Sequence, residues 1–209
     1  MKQRGTNGPG GRRRADARRN VESIVDAAVA VWAERSNASV EDIARAAGLS
    51  RQTVYTHFPS RDRLVAAVLD RATDETLAAL DAAKLDDGPA REALARLFDA
   101  SWAVLERYPF VLDVSSVHIS DGEDRDRHAP VVGRLERLFR RGQQVGEFDP
   151  SLPVSWLVAA TVALGHAAGA EVAAGRMTVP EATRAACEAV QRLAAAHGST
   201  RPRSPRRRG

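Results

Sequence analysis

The chain has 209 residues, is 44% hydrophobic and 28% charged, and holds one cysteine, Cys187. That excludes an intrachain disulfide and a thiolate metal cluster, fits a reducing cytoplasmic setting, and leaves room for a small domain plus a larger one with its own core. The formal charge of +4 is uneven: residues 1–19 carry +6 and residues 201–209 carry +5, so residues 20–200 carry −7.

Residues 1–15 are rich in Gly and Arg and predict a disordered basic arm that can track phosphates or enter a minor groove, or simply add nonspecific affinity. No apolar core follows the basic start, so no signal peptide is expected. A first helix then shows Ile24, Ala27, Ala28 and Trp32 on one face. Ala and Arg dominate and β-branched runs are scarce, which predicts an all-α protein.

Residues 39–58 carry the most information. Ser39 is a good N-cap, with Asp42 three residues on as its capping-box partner. Ile43, Ala44 and Ala47 make a small apolar stripe, and Gly48 stands where a helix ends in a left-handed residue. Ser50 caps a second helix with Arg51, Gln52 and Thr53 in its first turn and Val54 and Phe58 on its inner side. This is a helix-turn-helix pattern, whose second helix enters the major groove N-terminus first. Arg can donate bidentately to guanine, Gln can pair with adenine, and the Thr methyl can touch a thymine methyl. Tyr55, Thr56 and His57 suit phosphates, as does Arg61 at the next helix start.

The stretch 16–76 resembles the DNA-binding domain of the TetR family of transcriptional regulators. The resemblance rests on the Ile24–Trp32 face, on Val40-x-x-Ile43-Ala44-x-x-Ala47-Gly48-Leu49-Ser50, on Thr53-Val54-Tyr55-x-His57-Phe58, and on Ser60-Arg61-Asp62-x-Leu64. Two departures are Ser36-Asn37-Ala38, where the family often has Gly and an aromatic, and Arg61, where it more often has Lys. The resemblance implies an N-terminal three-helix DNA-binding domain and a C-terminal helical ligand-binding and dimerisation domain, here residues 77–197. It also implies double-stranded DNA with a palindromic operator as a partner, and no cofactor.

Beyond residue 60 the pattern predicts a helix over 61–84, a break at Gly88-Pro89, and a helix over 90–107 with Leu94, Leu97, Phe98, Trp102 and Leu105. A shorter helix follows from Pro109 to Ile119. Residues 121–128 read as a charged, mobile loop, and Pro130 opens the next helix. Residues 150–170 hold no charge beyond Asp149 at their edge. They are rich in Ala, Gly, Thr and Ser and predict a helix buried nearly all round rather than a membrane span. Thr178-x-x-Glu181 is a capping box for the last helix. Residues 198–209 predict a disordered Arg-rich tail.

The last two helices are Ala-rich and too small to form a core alone. By resemblance, residues 153–196 form a homodimer interface, with Gly165, Gly169, Ala182, Ala186, Ala189, Val190 and Leu193 as its candidates. The resemblance likewise implies an effector pocket, with Phe98, Trp102, Tyr108, Phe110, Val114, Val117, His118 and Trp156 as lining candidates. Such residues line a cavity for a small lipophilic ligand or fill a core, and the sequence leaves both readings open.

An enzyme is the rival class. The chain lacks a nucleophile elbow, a phosphate loop and a His-Glu-x-x-His motif, and its five histidines are scattered, with no metal-ligand spacing. A binding module is expected: a regulator acting as a repressor released by ligand, with an activator, or a regulator answering to a protein or to nothing, as the alternatives.

Overall fold

The structure, a computed structural model, describes residues 9–110 and 121–196, and the side chains of 13–110 and 129–196. Eight α-helices are present among them: α1 Pro9–Glu34, α2 Val40–Ala46, α3 Arg51–His57, α4 Arg61–Ala82, α5 Ala90–Leu105, α6 Asp121–Gln144, α7 Val154–Ala173 and α8 Val179–Ala194. The fold is all-α, with an N-terminal helix-turn-helix and a helical C-terminal part.

Two apolar cores organise the helices. The first joins α1, α2, α3 and the first half of α4 through Ile24, Trp32, Ile43, Val54, Leu64 and Val68. The second joins the end of α4 to α5, α6, α7 and α8 through Leu80, Leu94, Phe98, Phe139, Phe148 and Leu157. The sequence separates these parts near residue 76, but the packing interleaves them. After Trp102 the chain returns to the first core, where Val104, Tyr108 and Phe110 are buried. The Phe110 ring lies 5.3 Å from that of Trp32. The Tyr108 hydroxyl donates to Glu75 Oε1 at 2.7 Å, and Arg107 pairs with the same carboxylate. Burial and the Glu75 carboxylate raise the Tyr108 hydroxyl to about 12.

Caps and turns hold the corners. The Glu147 carboxylate accepts the backbone N–H of Arg91 at 2.9 Å, closing the N-terminus of α5. Those N–H contacts also hold Glu147 below the usual carboxylate range. Gly142 lets the Phe148 ring press on the backbone, since a Cβ there would stand 2.2 Å from Phe148 Cδ2. Phe148 is fully buried against Phe139.

Three local expectations are corrected. The basic arm over 1–15 is helical from Pro9. Pro is tolerated at the first helical position, and Arg12–Ala17 contains good helix formers that extend a helix already anchored by packing at Ile24 and Val25. Residues 121–128 are not a loop but the start of α6, and Pro130 lies inside that helix rather than at its opening. Acids at the start of this stretch suit the positive end of a helix dipole, a signal outweighed in the sequence by overall charge. Finally, α7 is buried on one side only within the chain. It is the one described helix long and apolar enough to cross a membrane, with 28% of its most apolar window buried. Residues 1–8, the expected helix over 111–119 and the tail from 198 lie outside the described residues.

Candidate nucleic-acid interface

The geometry of α3 follows from its caps. The Ser39 hydroxyl accepts the Asp42 N–H at 3.2 Å and the Asp42 carboxylate accepts the Ser39 N–H at 3.1 Å, so α2 starts on a complete capping box. The Ser39 hydroxyl, which also donates to the Asp42 carboxylate at 2.7 Å, and then the Ser39 N–H hold that carboxyl below its ordinary range. Gly48 adopts φ +67°, a left-handed conformation favoured for glycine, and the Leu49 N–H returns to the Ala44 carbonyl at 2.9 Å. The Ser50 hydroxyl then accepts the Thr53 N–H at 3.1 Å and meets the Thr53 hydroxyl at 2.8 Å. Val54 and Phe58 are buried, which fixes the rotation of α3.

That rotation places Arg51, Gln52, Tyr55 and Thr56 together on one exposed face. Tyr55 is 37% exposed on this face. The Arg51 guanidinium lies 5.3 Å from its ring centroid and 4.0 Å from Glu41, both weak restraints at an exposed site. Arg51 thus stays free to exchange these contacts for a base edge. Thr56 returns its hydroxyl to the Gln52 carbonyl at 2.8 Å. Thr53 and His57 are half-buried at the margin of the face, and Ser50 is exposed at its start.

Arg61 is placed differently from the open phosphate holder that its position at a helix start suggests. Its guanidinium stands 5.3 Å from the Trp32 ring centroid and donates to the Ser36 carbonyl at 2.9 Å. It therefore ties the α1–α2 connection to α4, compensating for the departure at Ser36-Asn37-Ala38. The Trp32 indole N–H donates to the Ala38 carbonyl at 3.2 Å in the same connection. Nothing in the sequence pairs residues this far apart, so these contacts become visible only in three dimensions.

The effector candidates do not converge on one cavity. Phe98 and Trp102 are buried in the second core, Tyr108 and Phe110 in the first. Trp156 is 55% exposed on α7. Val114, Val117 and His118 lie outside the described residues. The dimer candidates divide as well. Ala182, Ala186 and Val190 form the inner face of α8 and are buried in the core of their own chain, so they are not available at its surface. The Ala-rich stripe packs internally because small side chains let α7 and α8 approach closely. Gly169 is buried too, whereas Ala189 and Leu193 are half-buried and an added Cβ at Gly165 would meet nothing within 4 Å. The surface left open is the other side of α7, with Trp156, Ala159, Ala163, Ala167 and Ala170 exposed.

Comparison with known proteins fits this architecture. Residues 24–68 match the family model described as bacterial regulatory proteins, tetR family. The curated transcriptional repressor LfrR of Mycolicibacterium smegmatis is 36% identical over 96 residues, covering 46% of this chain; the match spans about half (49%) of that relative. The crystal structure of LfrR in complex with proflavine superposes with a TM-score of 0.62 at 24% identity, covering 83% of this chain and 96% of that one. The TetR-family regulator PfmR from Thermus thermophilus gives 0.62 at 27% identity, covering 81% and 97%. The helix-turn-helix geometry and the family-model match identify residues 24–68 as a DNA-binding domain of the TetR family of regulators, and the likeness to the solved PfmR structure extends over most of the chain.

Proposed function

We propose that the chain is a dimeric, cytoplasmic repressor that places α3 of each subunit in successive major grooves of a palindromic operator. The observation that carries this reading is the capped, exposed α3 face of Arg51, Gln52, Tyr55 and Thr56, rotated outward by Val54 and Phe58. Arg51 and Gln52 read base edges, while Tyr55, Thr56, His57 and the Ser50 cap seat on phosphates. Arg61 serves the interface by holding α1 against α4.

Dimerisation is assigned to the open side of α7 together with Gly165, Ala189 and Leu193. An apolar helix side carrying an exposed tryptophan is a surface that association would bury. LfrR binds proflavine, a flat aromatic molecule, which supports a flat aromatic effector for this chain also, held near Phe98 and Trp102 with the segment containing Val114, Val117 and His118. Release follows if the ligand binds better to a spacing of the two heads that does not fit DNA.

Selection of bound sequences from random DNA tests the reading directly. It should return a two-fold symmetric consensus, and Arg51→Ala should lose preference at one base pair of each half-site. An unchanged consensus would remove Arg51 from base reading. No enrichment from wild type would remove the proposed operator.

A further inference from the structure

Two acids open α2, and each has its own arginine. Asp42 belongs to the cap: it accepts the Ser39 N–H and pairs with Arg45 at 3.1 Å inside the same helix. The cap does not use Glu41, the residue before it. Glu41 Oε2 instead lies 4.0 Å from Arg51 Nη1, across the turn. This is the one ion pair joining α2 to α3 among the described residues. Both side chains are 63% exposed, so the contact stands in solvent at the edge of the reading face.

Arg51 has a choice of partners that its neighbours on the face do not. Gln52, Tyr55 and Thr56 are neutral, so Arg51 is the only formal cation of the four. A duplex offers it two kinds of acceptor. Phosphate oxygens are anionic and present on every sequence, whereas the O6 and N7 of guanine are neutral and present only at chosen positions. A guanidinium standing alone is drawn to the anion. Glu41 changes that balance. A guanidinium has several N–H donors, so one long contact to Glu41 leaves enough of them for bidentate donation to guanine. A phosphate reaching the same guanidinium would stand close to the Glu41 carboxylate, and like charges repel at that range. The Tyr55 ring, 5.3 Å from the guanidinium, carries no formal charge and does not oppose this.

We infer that Glu41 is a specificity-determining residue: beside the Arg51 guanidinium, its carboxylate turns phosphates away from that group and leaves it for the neutral edge of guanine. The inference rests on the proposal that α3 reads DNA. Glu41 also suits the positive end of α2, a purely structural role. The two roles differ in sign. Loss of a helix-stabilising acid weakens every complex, whereas loss of a phosphate repellent strengthens binding to DNA of any sequence.

The probes are two duplexes of equal length and base composition, one carrying the consensus selected by the wild-type chain and one with that consensus scrambled. Glu41→Gln should tighten binding to the scrambled duplex by about two- to five-fold per reading head, the worth of an exposed charge contact. It should also steepen the salt dependence on that duplex by up to about 0.9 per head, since one more phosphate is neutralised. The consensus duplex should gain less, so the preference for it falls. In an Arg51→Gln background the change at Glu41 should lose these effects. Equal tightening on both duplexes, or the same tightening with and without Arg51, would make Glu41 a general repellent of DNA and overturn the inference. Weaker binding to both duplexes would leave it a helix-stabilising acid only, and would also overturn it. A wild type that prefers the consensus, with Glu41→Gln keeping the same preference, removes the role of Glu41 and leaves α3 as the reading helix. Failure of the wild type to select any consensus overturns both.

Discussion

The reading head and the α7–α8 pair are both helical hairpins, yet they are stabilised in different ways. In the head, α2 and α3 are seven residues each, too short to persist alone. They are specified by capping hydroxyls at Ser39 and Ser50, a left-handed Gly48, and a few large buried groups. In α7 and α8 the helices are long and small residues, Ala168, Gly169, Ala182, Ala186 and Ala194, make up much of the inner face, so close approach replaces interdigitation there. The first design fixes each side chain's direction from its own few residues. The second leaves direction to whichever neighbour packs there.

The chain's three tryptophans test that difference most sharply. Trp32 is 2% exposed in the first core and Trp102 is 4% exposed in the second. Replacing either with Ala should cost about 3–5 kcal/mol, the usual range for a large buried aromatic. Trp156→Ala, on the open side of α7, should leave monomer stability within about 0.5 kcal/mol. Denaturant unfolding of the three variants decides the matter. A small loss for Trp102→Ala would mean that its ring faces a ligand cavity rather than packed core.

The same contrast explains what could be read in the sequence. The helix-turn-helix was legible because a cap, a glycine turn and an apolar stripe are local signals, and each recurs in the geometry. The all-α class was legible from Ala and Arg dominance. Helical spacing gathered Phe98 and Trp102 correctly onto one side of α5. It could not show that Tyr108 and Phe110, a few residues later, cross to the first core, because the partners Glu75 and Trp32 are distant in sequence. Nor could it tell the inner from the outer face of α8, where alanine occupies both: Ala182 and Ala186 are buried, Ala185 is exposed. Arg61 was legible as a basic residue at a helix start, but not as a clasp over Trp32.

Assembly is the next largest effect. Gly165→Leu or Ala163→Glu should weaken the dimer without disturbing the second core, since both positions face outward or are unobstructed. Operator affinity should then fall by about 10²–10⁴-fold, because two linked half-sites become two independent ones. Light scattering and operator titration should move together. A variant that stays dimeric would shift the interface away from α7.

Base reading comes below that. Arg51→Ala should cost about 1–3 kcal/mol at one base pair per half-site, with folding unchanged because its contacts to Glu41 and Tyr55 are exposed and weak. Arg61→Ala should differ in kind: it should lower head stability as well as DNA affinity for all sequences, by releasing Ser36 and Trp32. Thermal unfolding beside operator titration separates the two. Equal thermal stability of wild type and Arg61→Ala would return Arg61 to a phosphate role alone.

The smallest effect lies where the two regions meet. Tyr108 donates to Glu75, and burial followed by that carboxylate raises its hydroxyl from 10.0 to about 12. The raised value means that the folded state favours the neutral phenol. The stabilisation is therefore fully present below pH 10 and is lost as pH rises from 10 towards about 12. Tyr108→Phe should remove that alkaline dependence while costing about 0.5–1.5 kcal/mol at neutral pH, since Arg107 still pairs with Glu75. The measurement is unfolding free energy between about pH 8 and pH 11.5 for both proteins, a window that spans the ordinary and the raised phenol. Parallel curves would show that the phenol loses its proton as easily folded as unfolded, and the Tyr108–Glu75 contact would then contribute nothing to joining α5 to α4.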